Sequence, residues 1–328
     1  MREHGGMSTP EVRWGFIGAG NIARTALAPA VHAATGARLQ AVAARDPERG
    51  RSLSPYGTSY DHYGALLSDP DVDAVYISLS NEQHAPWSIL ALEAGKHVLC
   101  EKPLGLDSDE VRRMTDAAAS ADRLLVEATW NRWHPRTRRA HALVQSGLIG
   151  TPTEVTSGFV IDGVPEDNYR NLPELGGGAL YDLGCYNIVA SMWSTGGTAP
   201  VVESASARLN EHGADLETRA RLQLGGATVL IDCAMDRPAA QWLTITGTEG
   251  SIDFPEDAIM SRNSASTLTI AGLWGTRTEY FAPVDPYTVM VEQVSAAIRG
   301  EAAYLPPDTQ SEDMMRILTA IRVAAGTG

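Results

Sequence analysis

One short run limits this chain more than any other: Gly18-Ala19-Gly20-Asn21-Ile22-Ala23, directly after the apolar stretch Val12–Gly18. A β-branched and aromatic run that ends in a glycine turn and opens a helix predicts the first strand–turn–helix unit of a parallel sheet. Gly18 allows the tight turn, Gly20 lets the backbone approach a pyrophosphate with no Cβ in the way, and the small Ala23 lets helix and strand pack closely. Asn21 and Ile22 sit where the helix N-terminus turns its free N–H groups toward negative charge. A GxGxxA string alone is weak, since glycine turns are common. At the head of the chain's first strand–helix unit it predicts a dinucleotide site.

The flanking pattern agrees. Strands are predicted at Val12–Gly18, Arg38–Ala43, Ala74–Ser78, His97–Glu101 and Leu124–Glu127, with helices at Ile22–Ala34, Pro86–Glu93 and Ser108–Ala121 between them. Such alternation implies a doubly wound parallel sheet of Rossmann type. Ser78, at the end of the third of these strands, joins the cofactor-facing edge. After Trp130 the pattern changes. A helix at Pro135–Ser146 precedes strand-like runs at Thr153–Ile161, Val201–Asn210, Glu217–Leu224, Ala227–Met235, Gln241–Gly247, Ser251–Phe254 and Ser266–Ala271. Gly225-Gly226 is a hairpin signal between two of them, and helices at Gly178–Trp193, Tyr287–Ile298 and Thr309–Ala325 complete the set. The chain is thus α/β: residues 1–128 form the dinucleotide-binding Rossmann domain. Residues 129–328 form an α+β domain with a large, mostly antiparallel open sheet.

The second strand bears on which dinucleotide is bound. An NAD site places a carboxylate at its end to accept from the ribose hydroxyls. Here that position holds Ala44, followed by Arg45, whose guanidinium can pair with a 2′-phosphate or stack on adenine. The pattern favours NADP over NAD; the alternative for Arg45 is a solvated surface arginine. Asp46 comes one residue late and suits the start of an Asp46-Pro47 helix. Asp46–Ser54 leaves room for about two helical turns before Pro55, so the adenine end is open.

Composition narrows the class. With 44% hydrophobic and 20% charged residues in 328, the chain has a globular make-up, and its net charge of −14 argues against a nucleic-acid or anionic-membrane partner. Cys100, Cys185 and Cys233 are far apart, with no CxxC pair. No apolar run approaches the roughly 18 residues of a membrane helix, and Met1–Pro10 reads as a polar tail in which Met7 is an alternative start. A cytoplasmic protein with reduced thiols is expected. No ligand spacing for a metal occurs, and none is predicted.

The strand ending in Cys100-Glu101 delivers Lys102-Pro103 to the carboxyl edge of the sheet, where open α/β folds bind ligands. A lysine there can hydrogen-bond a substrate hydroxyl and stabilise a developing alkoxide. Gly95-Lys96-His97-Val98-Leu99-Cys100-Glu101-Lys102-Pro103 resembles the hallmark of the glucose–fructose oxidoreductase / inositol dehydrogenase (Gfo/Idh/MocA) family. Asp71–Ile77, Asn81-Glu82-Gln83-His84 and Glu174–Asp182 with its Gly176-Gly177-Gly178 agree, and the resemblance spans essentially the whole chain. It implies a catalytic Lys102, a cis Lys102-Pro103 peptide, and Asn81, His84 and Glu101 near the nicotinamide ribose. The alternative for His84 is a helix N-terminal histidine satisfied by backbone.

The triple glycine opens a helix carrying Asp182 and Tyr186, which at i and i+4 share a face. Tyr186 can pass its phenolic proton to or from a substrate oxygen. Its ordinary pKa of about 10 calls for help, which a nearby Lys102 ammonium supplies by favouring phenolate. Asp182 then orients a substrate hydroxyl or Lys102. Many family members carry histidine at this position. A tyrosine, with the run Glu127–Pro135, resembles the branch of dimeric dihydrodiol dehydrogenase and NADP-dependent xylose dehydrogenase, and implies Trp130 and Arg132 near nicotinamide and substrate. The alternative is that Trp130 and Trp133 cement the domain interface, the preferred reading for Trp133.

An NADP-dependent oxidoreductase acting on a sugar-like polyol, alcohol or carbonyl is the leading expectation. A nucleotide-linked keto-sugar reductase or a dihydrodiol dehydrogenase is the alternative within the class. A non-catalytic NADP-binding regulator is the alternative outside it, disfavoured because both Lys102 and Tyr186 are present. The open sheet predicts a homodimer or homotetramer built through it.

Overall fold

The computed structural model describes residues 11–54 and 57–328; Met1–Pro10, Met7 and Pro55 of the readings above lie outside them. Six parallel strands form the first sheet: β1 (Val12–Ile17), β2 (Ala37–Ala43), β3 (Thr58–Tyr60), β4 (Ala74–Ile77), β5 (His97–Cys100) and β6 (Leu125–Glu127), in the order β3-β2-β1-β4-β5-β6. Helices α1 (Ala28–Ala33), α2 (Pro47–Leu53), α3 (Tyr63–Leu67), α4 (His84–Glu93) and α5 (Ser108–Ala121) lie between them. β4 is buried on both faces, which is why Ala74-Val75-Tyr76-Ile77 is a continuous apolar run. The strand order reverses between β1 and β4, opening a crevice at their carboxyl ends.

The chain then runs through α6 (Pro135–Gln145) into a second, eight-stranded sheet. Its strands are β7 (Pro152–Val160), β8 (Val201–Leu209), β9 (Asp215–Leu224), β10 (Ala227–Ala234), β11 (Ala240–Gly247), β12 (Gly250–Phe254), β13 (Ser266–Gly272) and β14 (Gly275–Phe281), in the order β14-β13-β12-β11-β7-β10-β9-β8. Every neighbouring pair is antiparallel except β7 and β10. The Gly225-Gly226 hairpin joins β9 to β10, both glycines at positive φ.

Helix α7 (Cys185–Thr195) covers one face of this sheet, seating Tyr186 edge-on to Phe159 of β7. The opposite face is open, and there Trp242 lies flat on Gly158: a Cβ at Gly158 would fall 2.1 Å from the indole. Two last helices, α8 (Pro286–Ile298) and α9 (Gln310–Ala324), return toward the first sheet. Trp14 Nε1 of β1 donates to Ser295 Oγ of α8, and Ser311 Oγ of α9 donates to Glu127 at the end of β6.

Candidate active site

The site is built at the carboxyl edge of the six-stranded sheet. Gly18 follows β1 at φ 97°, and a Cβ there would lie 2.8 Å from the Ser78 carbonyl that follows β4. Only glycine fits. Gly20 is different: its φ is ordinary, and the nearest atom to a Cβ would be Ser78 O at 3.8 Å. Among the described residues nothing requires glycine at that point, so the bare backbone leaves room for a ligand, as a pyrophosphate needs. Beyond it the exposed Asn21 and half-buried Ile22 begin the first helix. At the end of β2, Ala44 is buried and Arg45 exposed, and Arg45 pairs with no carboxylate among the described residues. Asp46 caps α2 by accepting from Glu48 N, so its carboxylate is engaged away from a ribose. These residues fit a dinucleotide whose 2′ position carries phosphate.

After β5 comes Glu101, whose Oε1 accepts from Tyr76 Oη at 2.7 Å. Burial pushes its carboxyl above the usual range. The Lys102–Pro103 peptide is cis. Lys102 Nζ donates to Asp182 Oδ1 at 2.6 Å and to the Asp182 carbonyl at 2.8 Å. The other oxygen, Oδ2, lies 2.7 Å from Arg170 Nε. Burial alone would drive Lys102 and Arg170 down and Asp182 up. The opposite charges beside them outweigh it, holding both cations above and the carboxylate well below their ordinary ranges. All three are ionised, an arrangement of two positive charges on one negative.

Tyr186 stands within this group, its ring 5.3 Å from Lys102 Nζ and its Oη accepting from Trp130 Nε1 at 2.8 Å. Trp130 in turn stacks on Tyr287 at 4.8 Å. The expected lowering of the tyrosine pKa by Lys102 is not what this structure holds. Burial, with Tyr287, Cys185, Glu101 and Asp182 nearby, raises the phenol well above its ordinary value. The physical reason is plain: the ammonium is directed at Asp182 and meets the face of the ring. Tyr186 is therefore a protonated phenol whose oxygen already accepts one hydrogen bond, leaving its own proton to donate.

The remaining predicted residues divide. Ser78 packs on Gly18. Asn81 is buried, donating from Nδ2 to Gly176 O at 2.8 Å, so its amide ties the two sheets' loops together. His84 is fully buried with Nδ1 on Pro103 O at 2.8 Å and Nε2 on Leu79 O at 3.2 Å. Burial lowers the imidazole to about 4, so the neutral ring donates to one of these two carbonyls. The contacts fit the backbone-held reading of His84 and tie it to the loop that carries Lys102. Arg132 is buried against Trp193, 5.8 Å from its ring, away from the Lys102 cluster's hydrogen bonds. Trp133 donates to Tyr304 O in the core. Asp182 is hydrogen-bonded to Lys102, as the second of its two suggested tasks requires. Sequence reasoning missed Arg170. Its only signal was the triple glycine, of which the middle residue admits the arginine's backbone: a Cβ at Gly177 would lie 2.5 Å from Arg170 O, while Gly176 and Gly178 are crowded by Asn81 with Leu106 and by Asp215.

Among the described residues no cluster of His, Cys, Asp or Glu is arranged to hold a metal, and no helix is long and apolar enough to cross a membrane. Two family models match: an oxidoreductase family with an NAD-binding Rossmann fold over residues 12–129, and the Gfo/Idh/MocA C-terminal domain over residues 137–253. A D-xylose 1-dehydrogenase (NADP(+)) of Haloferax volcanii is 34% identical over 96% of this chain and 98% of its own. The trans-1,2-dihydrobenzene-1,2-diol dehydrogenase of Mus musculus is 32% identical over 73% of each. A crystal structure of KijD10, a 3-ketoreductase from Actinomadura kijaniata in complex with NADP and TDP-benzene, superposes with a TM-score of 0.86. Its identity is 27%, and it covers 96% of this chain and 98% of that one. On sequence, sheet order and site geometry together, the chain belongs to the Gfo/Idh/MocA family of oxidoreductases.

Proposed function

We infer that this protein is an NADP-dependent oxidoreductase that exchanges a hydride with a carbinol or carbonyl carbon of a sugar or sugar-like substrate. The observation that carries this reading is the meeting of Lys102, Asp182 and Tyr186 beside the dinucleotide turn. The relatives support it: one is named for D-xylose and NADP(+), and another was solved with NADP. Gly18, Gly20, Asn21 and Ile22 would hold the pyrophosphate and Arg45 the 2′-phosphate. NADP, when bound, supplies the hydride acceptor or donor.

The protein's own residues do the rest. Lys102 keeps one N–H free of Asp182 to hold the reacting oxygen, and its charge stabilises alkoxide character as the C–H bond breaks or forms. Tyr186 Oη gives its proton to that oxygen in reduction and receives it back in oxidation, with Trp130 fixing the direction of the phenol. A buried, protonated tyrosine is in the form that donates, as the reductive half of this exchange requires. Tyr186→Phe tests this: it should bind NADPH with unchanged affinity by fluorescence titration and lose about 10²–10⁴ in kcat. Near-normal kcat would end the proton-relay reading.

Residues 1–128 form the cofactor domain and 129–328 the substrate and assembly domain in this reading. The open sheet face carries a groove of about 380 Å³ lined by Arg219, Arg221, Asp232 and Trp242, which supports a homodimer or homotetramer through it. Three free, buried cysteines suit a reducing cytoplasm.

A further inference from the structure

The function just proposed leaves one charged group of the site without a task. Arg170 sits on the segment between β7 and α7, with Nε 2.7 Å from Asp182 Oδ2. Its Nη1 reaches only Asn168 Oδ1, at 3.5 Å, and its Nη2 has no partner among the described residues. The side chain is 28% exposed, against 10% for Lys102 and 9% for Asp182. A guanidinium needed only to neutralise Asp182 would turn both terminal nitrogens to protein acceptors. This one packs on the Tyr169 ring at 4.9 Å, spends Nη1 on one long contact and leaves Nη2 to the partly exposed side of the cluster.

Its placement is built in rather than incidental. Arg170 N is held by Asn168 Oδ1 and Arg170 O accepts from Gly178 N, the residue at the mouth of the Asp182 helix. Tyr169 next to it donates to Asn81 Oδ1 on the first sheet's loop at 3.4 Å. A carboxylate is short, and Lys102 and Arg170 hold the two oxygens of Asp182, so their cationic heads are neighbours, Lys102 the more buried and against the Tyr186 ring, Arg170 the more exposed. Two adjacent donors of this kind match two oxygens on adjacent carbons.

The geometry points to Arg170 as a specificity-determining residue that reads the oxygen on the carbon next to the reacting carbon. The site then takes vicinal diols and α-hydroxy carbonyl compounds, including sugars, over substrates lacking that second oxygen. This rests on the oxidoreductase reading above.

The test compares matched probes with NADP⁺: D-glucose against 2-deoxy-D-glucose, and cyclohexane-1,2-diol against cyclohexanol. Wild type should favour the oxygen-bearing member by about 10- to 100-fold in kcat/KM, the range of a hydrogen bond to a charged donor. Arg170→Met should narrow that ratio to within about 3-fold while NADPH affinity is unchanged. Arg170→Lys, which keeps a charge on Asp182 without the fork, should give an intermediate ratio, and it carries the test if Arg170→Met does not fold. An equal loss on both members of a pair, leaving the ratio intact, overturns the assignment and marks Arg170 as structural. A wild type without preference also overturns it. A wild type that turns over none of the four probes nor any other sugar or diol with NADP⁺, and reduces no keto-sugar or α-hydroxy ketone with NADPH, instead defeats the oxidoreductase reading itself.

Discussion

Gly18 and Gly20 stand two residues apart and answer to different demands. Gly18 is fixed by positive φ and by the Ser78 carbonyl, so Gly18→Ala should destabilise the fold by about 1–3 kcal/mol. Gly20→Ala meets nothing closer than 3.8 Å and should melt within a few degrees of wild type. Its NADPH affinity should nonetheless fall at least about tenfold, since the added methyl stands where the pyrophosphate approaches. Thermal melts beside fluorescence titrations separate the two; a Gly20→Ala protein with normal affinity would place the cofactor elsewhere. Both glycines were legible because local backbone rules name them; Lys102 at a strand end was a weak sign alone, and its catalytic role came from the family resemblance. Tyr186 and Asp182 were legible only through resemblance, since a helical Asp-x-x-x-Tyr is no signal alone. Arg170 lies in an irregular loop whose position follows from tertiary packing, and no periodicity marks it.

At the scale of elements, most strands and helices followed from apolar pattern and turn residues, and the exceptions have reasons. β3 and β14 are edge strands, short or largely exposed, without the apolar alternation that betrays a half-buried strand. The parallel pairing of β7 with β10 is set by chain routing, which alternation does not encode. Two helices begin with π-turns, at Ala23–Leu27 and Leu180–Gly184, each next to a predicted site; the second lies between the triple glycine and Tyr186 and alters the simple i, i+4 geometry expected of Asp182 and Tyr186. Helix α6 shows how one side chain couples a cap to acidity. His134 Nδ1 accepts from Arg136 N, so that nitrogen must carry no proton. Burial, with Arg136 alongside, lowers the imidazole to about 4. A depressed histidine gives stability that is present above its unfolded value near 6.5 and lost as pH falls toward about 4. His134→Asn keeps a good cap without a titrating group. It should flatten the fall in unfolding free energy between about pH 6.5 and 4 by up to about 1.4 kcal/mol per pH unit, as urea titrations would read. An unchanged slope would assign that fall to other histidines.

Taken whole, the molecule leaves one broad surface uncovered, the outer face of the eight-stranded sheet. Trp242 lies flat over Gly158 there, amid Arg219, Arg221 and Asp232. Trp242→Asp should shift the sedimentation coefficient from that of an assembly toward that of one 35.0 kDa chain, with the NADPH site intact. A wild type that sediments as one chain would end the assembly reading, and an assembled Trp242→Asp would put the interface elsewhere. The two-part division read from the sequence did not foretell how the last helices return, because docking between distant segments leaves no local trace. Ser311 of α9 donates to Glu127 Oε2, whose partner oxygen takes Leu104 N, two residues beyond Lys102. The two residues stand 184 positions apart in the chain. During translation, then, the lysine loop leaves the ribosome long before the hydroxyl that completes its support, and a nascent polypeptide with a fully formed first sheet still lacks a finished catalytic edge.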